Sequence, residues 1–111
     1  MFESFKQVEL DELYSVLGPR KNKIVIERII DLNDVLPIEV LSANVDIVRS
    51  EAAEMMEERT AILESIDLAT DSNIQILKKV KESEKLMRAN NALWKLIDEI
   101  TEAYDRYVCD E

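Results

Sequence analysis

Residues 45–108 read VDIVRSEAAEMMEERTAILESIDLATDSNIQILKKVKESEKLMRANNALWKLIDEITEAYDRYV. Within this run Val45, Val48, Ala52, Met55, Arg59, Ile62, Ile66, Ala69, Asn73, Ile76, Val80, Ser83, Met87, Asn90, Trp94, Ile97, Thr101, Tyr104 and Val108 follow one another at alternating steps of three and four. That spacing keeps every one of these side chains on one side of an α-helix, so the run reads as a helical seam that packs against another helix. Five seam positions are polar (Arg59, Asn73, Ser83, Asn90 and Thr101), which weakens the seam and at the same time can fix its register. A second stripe of Met56, Leu63, Leu77, Leu93, Leu96, Ile100 and Tyr107 lies beside the first. The combined apolar face is wider than a two-stranded coiled coil needs, and calls for a bundle or for a partner on two sides.

Whether 45–108 is one helix or a hairpin turns on Thr70-Asp71-Ser72-Asn73, where Ser72 and Gln75 have capping-box spacing. Charge favours a hairpin. Residues 46–72 carry 2 basic and 8 acidic side chains, whereas 78–95 carry 6 basic and 2 acidic, so folding back sets opposite charges side by side. Against a break, the three-four phase runs through 69–73 undisturbed and neither Gly nor Pro marks a turn. Both forms stay open, with the hairpin preferred.

The first 44 residues read as a compact helical head. Phe5, Leu10, Leu13, Tyr14 and Leu17 recur at helical spacing from Glu3 to Leu17, and Gly18-Pro19 stops that helix. Ile24 to Leu32 is dense in β-branched residues and fits either a strand or a buried helix; helix is preferred because no second strand is available to pair with it. Pro37 restricts Leu36 and removes a backbone donor, so 34–42 is expected to be a bend into the long segment.

Composition narrows the function. The chain has 111 residues, one Gly and two Pro, which leaves little material for the turns of a strand-rich fold. It is 47% hydrophobic and 34% charged, a globular balance rather than that of a disordered acidic tail. A net charge of −10 disfavours approach to phosphate backbones, so direct nucleic-acid binding is not expected. Lys78, Lys79, Lys81, Lys85, Arg88 and Lys95 form the one basic cluster, and packing against the acidic helix explains them better than phosphate does. The single aromatic among them, Trp94, falls on the seam and is expected in a core. No run is apolar for long enough to cross a bilayer, and no basic-then-apolar leader is visible, so a soluble cytoplasmic protein is expected.

Catalytic chemistry finds few footholds. With no histidine, the common general base and the His-containing nucleophile and metal arrangements are absent. One glycine cannot build a phosphate-cradling loop. Cys109 is flanked by Val108, Asp110 and Glu111, none of which lowers a thiol pKa, and it reads as an inert thiol. Glu51-Ala52-Ala53-Glu54 and Glu64-Ser65-Ile66-Asp67 match, formally, the carboxylate pairs with which some all-helical hydrolases hold magnesium; both lie on one side of the candidate break, so a solvated acidic face is the preferred reading. No enzyme activity, metal or cofactor is expected.

Val48-Arg49, Asp71-Ser72 and Asn90-Asn91-Ala92-Leu93-Trp94-Lys95-Leu96 together resemble the start, turn and return helix of the central hairpin in tailed-phage small terminase subunits. That resemblance covers about half the chain and implies a ring-forming component that regulates DNA packaging. A looser likeness is to the short helical export chaperones of the flagellar system, and the acidity also fits an inhibitor that mimics DNA. From the residues themselves, the expectation is an all-α protein with a head at 1–44 and a helical hairpin or coiled coil at 45–111. It would act as a non-enzymatic oligomerisation or adaptor protein that binds a protein partner, a copy of itself included, through Met55, Ile62, Ile66, Leu77, Val80, Leu93, Trp94, Leu96, Ile97 and Ile100. The crowding of Leu93, Trp94, Leu96, Ile97 and Ile100 predicts an exposed patch on the return helix, because one partner helix covers only one side of it.

Overall fold

The computed structural model describes residues 5–109 and contains five helices: α1 (Gln7–Leu17), α2 (Lys23–Asp31), α3 (Ile38–Ala43), α4 (Val45–Glu64) and α5 (Asn73–Cys109). No strand occurs among the described residues, so the all-α expectation holds and the ambiguous Ile24–Leu32 stretch is helical. The long segment is a hairpin: α4 and α5 pack together along their length, antiparallel.

The break includes Thr70-Asp71-Ser72, as expected, but begins earlier. Helix α4 ends at Glu64, and Ile66 and Ala69, both counted on the seam, lie in the connection at 65–72. A turn without Gly or Pro is possible because side chains take over the bonding of the backbone. Asp71 Oδ2 accepts the Asp67 N–H at 3.0 Å and Lys79 Nζ at 2.9 Å, while Lys79 also donates to the Ser65 carbonyl at 2.9 Å. The Asp67 N–H and then Lys79 hold Asp71 below the usual carboxylate range, and Asp67 is lowered in turn by the Thr70 side chain and the Ala69 N–H. The capping box then starts α5 as its spacing predicts: Ser72 N–H donates to Gln75 Oε1 at 2.8 Å and Gln75 N–H to Ser72 Oγ at 3.2 Å.

The head differs from expectation in two details. Helix α1 does stop at Gly18-Pro19, but Gly18 has φ −40° and stays right-handed, so Pro19, which has no N–H to continue the ladder, terminates the helix. Pro37 does not merely bend the chain; it sits immediately before α3, where its fixed φ of −58° and missing N–H cost a new helix nothing. The expected helical residues before Phe5 lie outside the described residues.

One core runs through head and hairpin. Leu13 and Leu17 of α1, Ile26, Ile29 and Ile30 of α2 and Leu41 of α3 close over Val48, Ala52 and Met55 of α4 and over Leu93, Leu96, Ile97 and Ile100 of α5. Helices α1 and α3 both lie on α5, which is therefore the central helix. Two polar contacts set its registers. Asn90, buried on the seam, donates to the Ala52 carbonyl at 2.7 Å and fixes α5 against α4. Arg20, from the turn after α1, donates to Glu51 at 2.9 Å and also pairs with Glu58, so it fastens the head to α4.

Tyr14 closes the head on itself by donating to Asp31 Oδ1 at 3.1 Å. Burial, then the hydrogen bond to Asp31 and the neighbouring carboxylates, push this phenol from 10.0 up to about 12. The fold favours the neutral phenol, so the stability it contributes is complete below pH 10 and is lost as pH rises from there through about 12. In an ultraviolet titration of the native protein, a phenol step near pH 12 is expected that disappears in Tyr14→Phe. Its survival in that variant would remove the contact from the account.

Candidate functional site

Burial divides the hairpin in two. On α4 the last buried residue is Met55 and on α5 the first is Ser83; none from Met56 to Glu82 is buried. The head explains the boundary, since its last polar contacts with the hairpin are Arg20 to Glu58 and Lys85 Nζ to Ser15 Oγ at 3.1 Å. Past them only two helices remain, and the molecule extends to 60 × 23 × 22 Å. A pair of helices buries the line where they meet and leaves the flanks of that line wet.

Large apolar side chains stand among the charges on these flanks. Leu68 is 84% exposed, Ile74 79% and Leu77 58%, while Met56, Ile62, Leu63, Ile66, Ile76 and Val80 are half-buried. Single exposed apolar residues are ordinary, but these all fall in the arm, on both helices and their connection. Beside it on α4, Met56, Glu57, Thr60, Ala61 and Glu64 line a shallow depression of about 330 Å³.

Nine of the ten residues expected to make the interface therefore separate into two groups, and Trp94 stands apart from both. Ile62, Ile66, Leu77 and Val80 belong to the arm. Met55, Leu93, Leu96, Ile97 and Ile100 are buried in the monomer's own core, which corrects the expectation of an exposed patch on the return helix: α1 and α3 cover the side that α4 leaves open. Trp94 reverses too, being 45% exposed rather than in a core. It borders a groove of about 580 Å³ on the outer side of α5, together with Val8, Glu9, Glu12, Arg88 and Lys95.

The charges follow the head as well. The cations of α5 were expected to face α4, yet Arg88 pairs with Glu12 at 2.6 Å and Lys95 with Glu9 at 3.2 Å, both on α1. Lys79 is held by Asp71 and Lys85 by Ser15. Lys78 and Lys81 remain exposed, far from a basic patch of the extent that phosphate binding requires. The other chemistry weighed in the sequence fares differently again: Glu51 is 0% exposed and its carboxylate meets Arg20 rather than a cation from solvent, while Glu64 ends α4 and Asp67 lies beyond it. Among the described residues no group of three or more His, Cys, Asp or Glu is placed to hold a metal ion, and no helix is long and apolar enough to cross a membrane. Cys109 is exposed at the end of α5.

Two signals for this division were present in the sequence. The head has its own apolar residues, Leu13, Leu17 and Leu41, which must be buried somewhere, and the wide face at 93–100 is the one surface of matching breadth. Comparison with known proteins finds no family model, no curated protein and no solved structure that matches the chain.

Proposed function

We propose that this chain is a non-enzymatic oligomerisation or adaptor protein that binds protein through the uncovered arm of its hairpin, residues 56–82. The observation that carries the reading is the absence of any buried residue over that span, although the span is regular helix on both sides of a well-bonded turn and is rich in large apolar side chains. The turn is rigidly specified, so the arm is a preformed surface rather than a frayed end, and ordering it costs a partner little. The head anchors the other end and takes up the apolar stripe of α5 that would otherwise compete for the same partner. The expectations of partner binding and of coiled-coil packing between chains belong to this reading.

The test is an Ile74→Glu/Leu77→Glu variant. Both side chains are exposed, so the fold is expected to keep its helical circular dichroism while association through the arm is lost. Tagged wild type and variant are compared for the proteins cross-linked to each in the cells that express it, copies of the chain included. Retention of every partner by a folded variant would remove the arm from the account.

A further inference from the structure

We infer that the arm binds a second copy of this chain, with the two hairpins lying side by side in the same direction about a two-fold axis parallel to their length. This rests on the reading of the arm as a protein-binding surface and names its occupant. Charge placed at matching heights on the two helices selects this arrangement. In the monomer Glu57 and Glu64 of α4, and Lys78 and Lys81 of α5, are exposed and form no ion pair among the described residues. They belong to opposite halves of the hairpin, so beside Arg59 of α4 and Glu82 of α5 the arm carries an acidic rail, Glu57 and Glu64, and a basic rail, Lys78 and Lys81.

The internal register says what those rails meet. Asn90 bonds the Ala52 carbonyl and, at the tip, Lys79 bonds the Ser65 carbonyl, so α4 and α5 stay in step along the arm. Counting equally along the antiparallel helices from Ala52 and Asn90, Glu64 is level with Lys78 and Ala61 with Lys81. A two-fold axis along the hairpin lays α4 of one copy over α5 of the other without changing height. Lys78 of the second copy then comes beside Glu64, and Lys81 of the second copy falls between Glu57 and Glu64, which rim the 330 Å³ depression. Met56 and Ala61 line the same depression and suit the aliphatic stem of a lysine whose ammonium reaches the rim. Leu77 of each copy is brought to the level of the 65–68 connection of the other, where Leu68 is exposed and Ile66 half-buried. Symmetry makes every contact twice. An antiparallel arrangement about a perpendicular axis would instead set α4 on α4, acid on acid.

Exposed ion pairs add little strength, so their work here is to choose partner and register, with the apolar tip supplying the attraction. A reversible dimer with dissociation in the micromolar range is expected, as befits a small interface.

Sedimentation velocity over a concentration series tests it with two charge-reversed chains, Glu57→Lys/Glu64→Lys and Lys78→Glu/Lys81→Glu. The wild type is expected to dimerise, each variant alone to dimerise at least about tenfold more weakly, and an equimolar mixture of the two to recover dimer, because only the mixed pair matches both rails. All four side chains are exposed and form no ion pair among the described residues, so circular dichroism should show both variants folded. A wild type that stays monomeric overturns the inference, as do variants that dimerise alone like wild type and a mixture that fails to recover. A monomeric wild type whose other partners are lost in Ile74→Glu/Leu77→Glu overturns only the second copy as occupant; a dimer indifferent to that substitution overturns the arm itself.

Discussion

Replacing Arg20 with alanine is expected to destabilise the fold by about 3 kcal/mol, more than its position in a surface turn would lead one to expect, because it strands a charge in the core. Glu51 is fully buried and Arg20 donates to its Oε2 at 2.9 Å, while Oε1 is buried with no hydrogen-bond partner. Without the guanidinium, that carboxylate is left buried with no partner, which costs free energy. The two acceptors of Arg20 separate this effect from an ordinary surface pair. Glu58 is half exposed, so Glu58→Ala should cost below about 1 kcal/mol. Replacing both partners, as in Arg20→Leu/Glu51→Leu, should recover most of the loss, since no charge is then left buried without a partner. Denaturant melts of the four proteins decide it. If Arg20→Ala and Glu58→Ala prove equally mild, the head is held by its apolar contacts alone.

The pair also shows where sequence reading stops. Glu51-Ala52-Ala53-Glu54 was legible as a carboxylate pattern, and a solvated face was the reasonable default for it. Nothing in the spacing says that Arg20, 31 positions away, closes over it; that contact depends on how the head docks. Periodicity did identify what depends on neighbours in sequence. The five helices fall on the stretches that spacing marked as helical or bent, overrunning them by one residue at most, and the Ser72–Gln75 box starts α5. The turn was harder to place, because the seam phase continues by coincidence through Ile66 and Ala69 while the Asp67, Asp71 and Lys79 side chains build the connection. Which half of a wide apolar face is core and which is surface is a tertiary fact. Leu77 and Leu93 stand on the same second stripe, and only the reach of the head, ending near Glu58 and Lys85, makes one exposed and the other buried.

That difference gives the second large effect, at Leu93 and Leu96. A surface patch would tolerate Leu93→Glu/Leu96→Glu, and only association would suffer. Both side chains are instead fully buried, in a cluster that includes Leu13 and Leu17 of α1 and Leu41 of α3. Truncating either to alanine should cost about 2 to 5 kcal/mol, because apolar burial is forfeited and a cavity is left behind. Placing two carboxylates there adds the cost of burying unpaired charge, so the double glutamate variant should lose its cooperative thermal transition. The arm makes the contrast within the same molecule: Ile74→Glu/Leu77→Glu inserts the same charge on the same helix and should leave the transition within about 1 kcal/mol of wild type. The head is the reason for the difference, so its undocking should be the route by which the first variant fails. Hydrogen exchange can follow that route: amides of α1 and α3 should lose protection at least as far as those of α5 when Leu96 is cut to alanine. Wild-type-like melting of Leu93→Glu/Leu96→Glu, with only its solution mass changed, would return these residues to the surface and remove the head from the core.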